Sequence, residues 1–334
     1  MSIKQRRITL KSIANKTGFT VNTVSRALRD KEDISAATKA LIRAEAKKMG
    51  YIPDTVAGAM RLGETRTIAL ILGDISNPFF SAQIKEIERR AMSFGYTTMI
   101  LNTEENSKHE RSAILAACGK RADGIIIFPA QKNLDNINLL QRVGIPFVLC
   151  GRHFKDFSAD SVVWDDVKAG ELAATHLIEL GHRIILYVGG PSYISSAEER
   201  LQGFLNAHRN AGIQPLPGLI RQTEIMTGSC MKEIKQILEE GLRFTGVVAF
   251  SDLMAYEAIR TIKEVDGGKF ASIPVVGIDN IQSKIMLPIV FSSVGSVEES
   301  GMAQAVDLLV KKMNHHSEET EKIVLDVKLF HHNG

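Results

Sequence analysis

Residues 9–30 read TLKSIANKTGFTVNTVSRALRD. Leu10, Ile13 and Ala14 recur at helical spacing, Thr9 stands where an N-cap belongs, and Gly18 stands where the helix should stop. Glycine ends helices well because it takes the left-handed backbone conformation without a steric penalty. Thr20 then caps a second predicted helix over 21–28, whose inner face is Val24, Ala27 and Leu28. That phase turns Asn22, Thr23, Ser25 and Arg26 away from the core. A third helix is expected from Ser35, with Ala40, Leu41, Ala44 and Met49 as its apolar stripe before Gly50. Helix, glycine turn, helix and bracing helix make a helix-turn-helix unit.

The charge distribution fits that unit. Residues 1–60 hold 12 Lys and Arg against 5 Asp and Glu, whereas the remaining 274 hold 29 against 33. The net charge of +3 therefore hides a basic module on a mildly acidic body, an asymmetry suited to a nucleic acid or an anionic surface. On the second helix, Asn22 and Arg26 lie four residues apart on one face. Asn can pair with adenine and Arg with guanine in the major groove, each with two hydrogen bonds. Thr9, Thr20, Thr23 and Ser25 offer hydroxyls for phosphates, which set register without reading sequence.

Three stretches carry a family resemblance: residues 9–30, ISAATKALI at 34–42 and MGYIPDTVAGAM at 49–60. With Thr23-Val24-Ser25-Arg26 on the second helix and Gly50-Tyr51-Ile52-Pro53 beyond it, the chain resembles the LacI/GalR transcriptional regulators over essentially its whole length. The resemblance implies a repressor that binds a palindromic operator in double-stranded DNA as a homodimer. It implies control by a small-molecule effector, a sugar or sugar derivative, and operator reading by Val21, Asn22 and Arg26. It further implies a hinge helix over 54–61 that forms on DNA, with Ala57 and Met60 as its contacts. Met60 takes the place of the usual Leu wedge, and Gly58 stands where a better helix former is common. Glycine costs about 1 kcal/mol relative to alanine inside a helix, so this hinge is expected to melt easily.

After residue 65 apolar runs alternate with amphipathic helices. Strands are expected at 67–73, 96–101, 123–128, 145–150, 161–164, 183–189, 245–250, 273–278 and 323–329. Such alternation predicts an α/β fold with parallel sheets covered on both faces, as two doubly wound subdomains with a ligand between the C-terminal ends of their strands. The resemblance adds the architecture of periplasmic sugar-binding proteins, with the chain crossing between subdomains near 164, 292 and 324. The expected division is 1–53 for the helix-turn-helix domain, 54–65 for the hinge and linker, and 66–334 for the effector and dimerisation domain. Within it, subdomain one takes about 66–164 and 292–324, and subdomain two about 165–291 and 325–334.

Cleft candidates follow the strands. Phe79 and Phe80, after Asn77-Pro78, could stack on a sugar face or fill the core. Trp164, the only tryptophan, precedes Asp165-Asp166, where family members present cleft residues; Asp165 is the carboxylate taken here. Arg200 and Asp279 match ligand-binding positions of the family, with Ser196 a neighbour of the arginine, although a salt bridge also explains Arg200. Asp252 either caps the helix that follows it or faces the cleft. A planar guanidinium and carboxylates together can hold several hydroxyls. The chain departs from the family pattern at Gly151, where sugar-responsive relatives often carry Asp, and at Ile225, often aromatic. Ser296-Val297 replaces the usual Gln-Pro with one residue missing, and His331-His332 replaces an Arg-containing finish; these histidines read as solvated tail residues.

Other classes fare worse. The composition, 44% hydrophobic and 24% charged, excludes a disordered chain or a fibre. No apolar run reaches the ~18 residues of a membrane span, and the start MSIKQRR lacks a signal peptide's apolar block. A cytoplasmic protein without membrane attachment is expected, which disfavours the alternative of a solute-binding protein for transport. Cys118, Cys150 and Cys230 lack disulfide or zinc spacing. Gly73-Asp74-Ile75-Ser76-Asn77-Pro78 is no dinucleotide fingerprint, and neither a P-loop nor a nucleophile elbow occurs. No cofactor, no metal and no enzymatic activity are expected.

Overall fold

Thr9 and Ser12 cap the first helix reciprocally: the Ser12 N–H donates to Thr9 Oγ1 at 3.3 Å and the Thr9 N–H to Ser12 Oγ at 3.2 Å. In the computed structural model, which describes residues 8–52, 63–266, 273–286, 289–315 and 319–332, contacts divide the chain into Met1–Thr65 and Arg66–Gly334. The first unit holds α1 (Leu10–Thr17), α2 (Val21–Leu28) and α3 (Ala36–Lys48). Gly18 ends α1 at φ +74°, and Thr20 and Ser35 cap the next two helices. Ile13, Ala14, Val24, Ala27, Ile42 and Ala46 form the core. The stripe on α3 is therefore Ile42 and Ala46, not Ala40, Leu41 and Ala44, which are exposed. Gly58, Ala57 and Met60 of the expected hinge lie outside the described residues.

The second unit contains two six-stranded sheets. Sheet one runs β11 (Lys322–Leu325), β5 (Ser161–Trp164), β4 (Phe147–Cys150), β3 (Gly124–Ile127), β1 (Thr67–Leu72), β2 (Thr97–Asn102), all parallel. Sheet two runs β12 (Val327–Phe330), β10 (Ser292–Ser296), β9 (Val275–Ile278), β8 (Gly246–Ala249), β6 (Ile185–Gly189), β7 (Ile220–Gln222), with only β12 antiparallel. The expected α/β architecture is present.

Alternate residues of each strand serve opposite faces, so a strand covered on both sides is apolar throughout. Ile68, Leu70 and Leu72 pack with Ile87 of α4 (Pro78–Ser93) and Leu309 of α11 (Gln304–His315). Ala69 and Ile71 pack with Ile114 of α5 (Ser107–Gly119) on the other face; α6 (Asp135–Val143) joins them through Ile137 and Leu140. Sheet two repeats the plan. Leu186 and Val188 meet α9 (Ser229–Glu239) and α10 (Asp252–Asp266), while Tyr187 meets α7 (Asp166–Glu179) and α8 (Ser195–Asn210). Each Leu, Ile or Val among them contributes about 1.5–3 kcal/mol by leaving water.

Two expectations about the crossings change. β10 belongs to sheet two, so the chain returns to subdomain one after Ser296 and not near 292. The run expected as one strand over 323–329 is two strands, β11 and β12, which join different sheets on either side of Asp326. The crossings lie side by side: the Asp165 N–H donates to the Leu325 carbonyl at 3.0 Å and the Val297 N–H to the Asp326 carbonyl at 2.9 Å.

Candidate functional site

On the head, α2 presents Val21 and Asn22 exposed, with Thr23, Ser25 and Arg26 partly so. Arg26 is already oriented. Its Nε and Nη2 donate to Asp33 at 2.8 and 2.7 Å, and this hydrogen-bonded carboxylate raises its pKa further. Ser25 Oγ accepts from Arg29 at 2.9 Å. Thr20 Oγ1 accepts the Thr23 N–H at 3.1 Å and lies 2.9 Å from Thr23 Oγ1. The hydroxyls of Thr9, Thr20 and Thr23 thus build helix starts.

In the body, the cleft forms where loops leave the C-terminal ends of both sheets. From sheet one, Asn77 caps α4 by accepting the Phe79 N–H at 3.0 Å, which sets Phe79 and Phe80 against Phe128 and Trp164. Phe79 meets Trp164 edge-on, with centroids 5.4 Å apart. Arg152 grips Glu105 with two bonds, at 2.7 and 3.0 Å, and donates to the Pro129 carbonyl at 2.6 Å. The pair fits because Gly73 has no side chain; a Cβ there would overlap the Glu105 carboxylate. Gly151, at φ +67°, has the Trp164 ring 3.2 Å from where its Cβ would stand, which accounts for the absence of a larger residue.

From sheet two comes a buried cluster about one guanidinium. Arg200 Nε donates to Asp166 at 2.6 Å, Nη1 donates to the Phe250 carbonyl, and Nη2 lies 3.8 Å from Asp279. Its guanidinium also stacks 4.6 Å over the Phe250 ring. Helices α7 and α8 approach closely enough for these contacts through Gly170 and Gly203, where a Cβ would overlap the carbonyls of Arg200 and Val167. Burial opposes the charge on Arg200, but Asp166 and Asp279 outweigh it and raise its pKa. Burial pushes Asp166 up to about 6 despite Arg200, and pushes Asp279 well above the carboxylate range. Asp279 holds a left-handed backbone, φ +125°, rare for a residue with a side chain.

Two cavities meet at Phe79, Trp164, Arg200 and Asp279. One, of about 60 Å³, adds Phe80, Ser196, Ile225 and the Arg152–Glu105 pair. The other, of about 230 Å³, lies toward the crossings and adds Asp166, Ser283, Lys284 and residues 294–299. Six of the eight expected cleft residues therefore come together. Asp165 lines neither cavity; it caps α7 by accepting the Lys168 N–H at 2.9 Å, and its neighbour Asp166 is the one at the site. Asp252 is neither cap nor lining. It is buried behind Asp279, accepting the Ile281 N–H at 2.7 Å and the Ser293 hydroxyl at 2.5 Å. Ser251 Oγ accepts the Met254 N–H in the first turn of α10 instead. His332 is no solvated tail residue, since its Nε2 lies 2.8 Å from Asn280 Oδ1.

The lobes also touch at the rims. Gln131 Oε1 accepts the Ser195 N–H at 2.9 Å, His153 Nε2 lies 2.7 Å from Glu199, and Lys155 pairs with Glu198 at 2.6 Å. Lys284 and Glu86 face each other at 3.4 Å on the opposite side.

Residues 65–333 match the family described as periplasmic binding proteins and sugar binding domain of LacI family, and residues 9–54 match bacterial regulatory proteins, lacI family. The chain belongs to the LacI family. It is 30% identical over 300 residues to the HTH-type transcriptional regulator DegA of Bacillus subtilis (strain 168), covering 88% of each chain. It is also 30% identical over 273 residues to the HTH-type transcriptional repressor CytR of Escherichia coli (strain K12), covering 82% of this chain and 80% of that one. The LacI-family fold agrees with the lac repressor dimer bound to operator and the anti-inducer ONPF, with a TM-score of 0.83 at 23% identity over 97% of this chain and 98% of that one. No helix among the described residues is long and apolar enough to cross a membrane.

Proposed function

We propose that this LacI-family chain is a cytoplasmic transcriptional repressor that binds a palindromic operator as a homodimer, under the control of a carbohydrate held in the body's cleft. It acts by binding and not by catalysis. One observation carries the reading: a helix-turn-helix head matched over 9–54 shares a chain with a sugar-binding body matched over 65–333. One head reads a short half-site, so a dimer is needed for a full one. Asn22 and Arg26 read bases, with Val21 beside them; Thr9, Thr20, Thr23 and Ser25 position the backbone. Ala57 and Met60 take the minor groove, where a wedged apolar side chain kinks the duplex. In the cleft, Phe79, Phe80 and Trp164 supply ring faces, while Arg200, Asp279 and Ser196 supply polar partners. A ligand that prefers one angle between the lobes shifts the DNA equilibrium by its differential affinity alone.

Binding-site selection from a randomised duplex pool by the full chain tests this. A symmetric site should be enriched. Arg26→Ala should lose about tenfold to a hundredfold of discrimination at one base pair in each half-site, with weaker, salt-sensitive binding retained. Enrichment of no symmetric sequence overturns the proposal.

A further inference from the structure

The loop between α2 and α3 sets a carboxylate beside Arg26. Arg26 Nε donates to Asp33 Oδ2 at 2.8 Å, and Arg26 Nη2 meets Asp33 Oδ1 at 2.7 Å. One whole edge of the guanidinium is thereby used. Because the group is a planar fork, fixing that edge fixes its plane, and Nη1 with the outer N–H of Nη2 points away from Asp33. That outer edge carries two parallel donors, the pattern that guanine O6 and N7 accept in the major groove. The two side chains stay accessible, at 40% and 50% of their surface, so the edge can meet a base.

Asp33 holds its place because its loop is pinned. The Asp30 N–H donates to the Ala27 carbonyl at 3.2 Å and the Lys31 N–H to the Arg26 carbonyl at 3.1 Å, so the chain leaves α2 in a closed turn. Asp30, at φ +55°, is then taken by two cations of α3, Lys39 at 3.1 Å and Arg43 at 2.7 Å. Beyond Asp33, Ser35 caps α3. An exposed ion pair adds little to stability. Its effect here lies in where a braced loop holds the arginine, since a contact group already in its bound geometry loses less freedom on binding. The hydrogen bond from Arg26 keeps Asp33 below the usual carboxylate range, so it is charged at neutral pH. That charge offsets the attraction of Arg26 for phosphates, which draw cations whatever the sequence.

We infer that Asp33 is a positioning residue that sets the specificity of the head: without touching a base, it presents the outer edge of Arg26 to a guanine and weakens the hold of Arg26 on phosphates. This rests on the base-reading role given to Arg26 above.

DNA binding by the full chain tests it, on the symmetric duplex that the parent enriches, on that duplex with single base pairs exchanged, and on a scrambled control. Asp33→Ala should lose about threefold to tenfold of discrimination at the base pair that Arg26→Ala relaxes, a guanine pair, and at no other. It should also bind the scrambled duplex tighter, with a salt slope steeper by up to about 0.9, because one cation is released to the phosphates. Asp33→Asn, which keeps the shape and one acceptor but not the charge, should show a smaller loss at the same base pair, and it decides the matter if Asp33→Ala disturbs the head. Arg26→Ala combined with Asp33→Ala should discriminate there no worse than Arg26→Ala alone. Further loss in that double variant would mean that Asp33 reads a base itself, which overturns the inference. So does tighter binding to every duplex with discrimination unchanged, which would make Asp33 only a competitor for Arg26. If Arg26→Ala loses discrimination and neither Asp33 variant does, this inference alone fails; if Arg26→Ala discriminates as the parent does, the reading of Arg26 fails with it.

Discussion

Asp252 shows what burial does to a single carboxylate. Burial pushes it up to about 6, against the Ser293 hydroxyl and Ile281 N–H that favour its charged form. An unfolded aspartate titrates near ~3.9, so between about 4 and 6 the folded chain holds more proton than the unfolded one. Stability from this group is therefore lost as pH rises through that window. Asp252→Asn removes the cost of ionisation. Whatever its constant offset from the lost hydrogen bond, the melting temperature of the variant minus that of the parent should rise between pH 4 and pH 7. A flat difference would show that Asp252 is charged throughout. At this scale the sequence was informative where a residue's position in a motif fixes its surroundings, as for Arg200 and Asp279. It was blind where two carboxylates stand together: Asp165 and Asp166 differ by one step at a helix start, and one step turns a side chain from the cap to the cleft. Nothing local announces that Arg152 and Glu105, 47 residues apart, will pair.

Elements were legible in proportion to how apolar they are. The central strands read plainly because both faces are buried, but β10 is Ser-Ser-Val-Gly-Ser. Its Ser293 is fully buried yet satisfied, donating to Asp252 and accepting the Asn280 N–H at 3.0 Å, so a central strand can be polar when its neighbours supply partners. The phase of α3 failed for a different reason. Leu41 and Ile42 are adjacent in an alanine-rich helix, and periodicity alone accepts either; packing against α1 and α2 chooses Ile42. The pair α7 and α8 yields the sharpest test at this scale. Gly203→Ala places a methyl against the Val167 carbonyl, so the helices must separate. Urea unfolding should show a loss of about 1–3 kcal/mol, the usual cost of overpacking. Since Arg200 is three residues away on the same helix, the variant should also lose sugar affinity. Unchanged stability would mean that this contact is not close-packed in solution.

For the whole molecule, the rim contacts make closure of the two lobes measurable. Trp164 is the only tryptophan and sits at the wall shared by both cavities, so its fluorescence reports on the cleft alone. Gln131→Ala combined with Glu199→Ala removes two rim contacts and should raise acrylamide quenching of Trp164. Equal quenching in variant and parent would show that the rims do not hold the lobes together. The placement of β11 and β12 has a consequence for how the chain is made. Each is the edge strand of a different sheet, and a single residue, Asp326, separates them. A nascent chain therefore leaves both lobes one strand short until synthesis reaches residues 322–330, with the hydrogen-bonding edges of β5 and β10 unpaired until then. Synthesis of residues 322–330 completes both lobes almost together, and a ribosome that stops before residue 322 releases two unfinished sheets instead of one finished lobe.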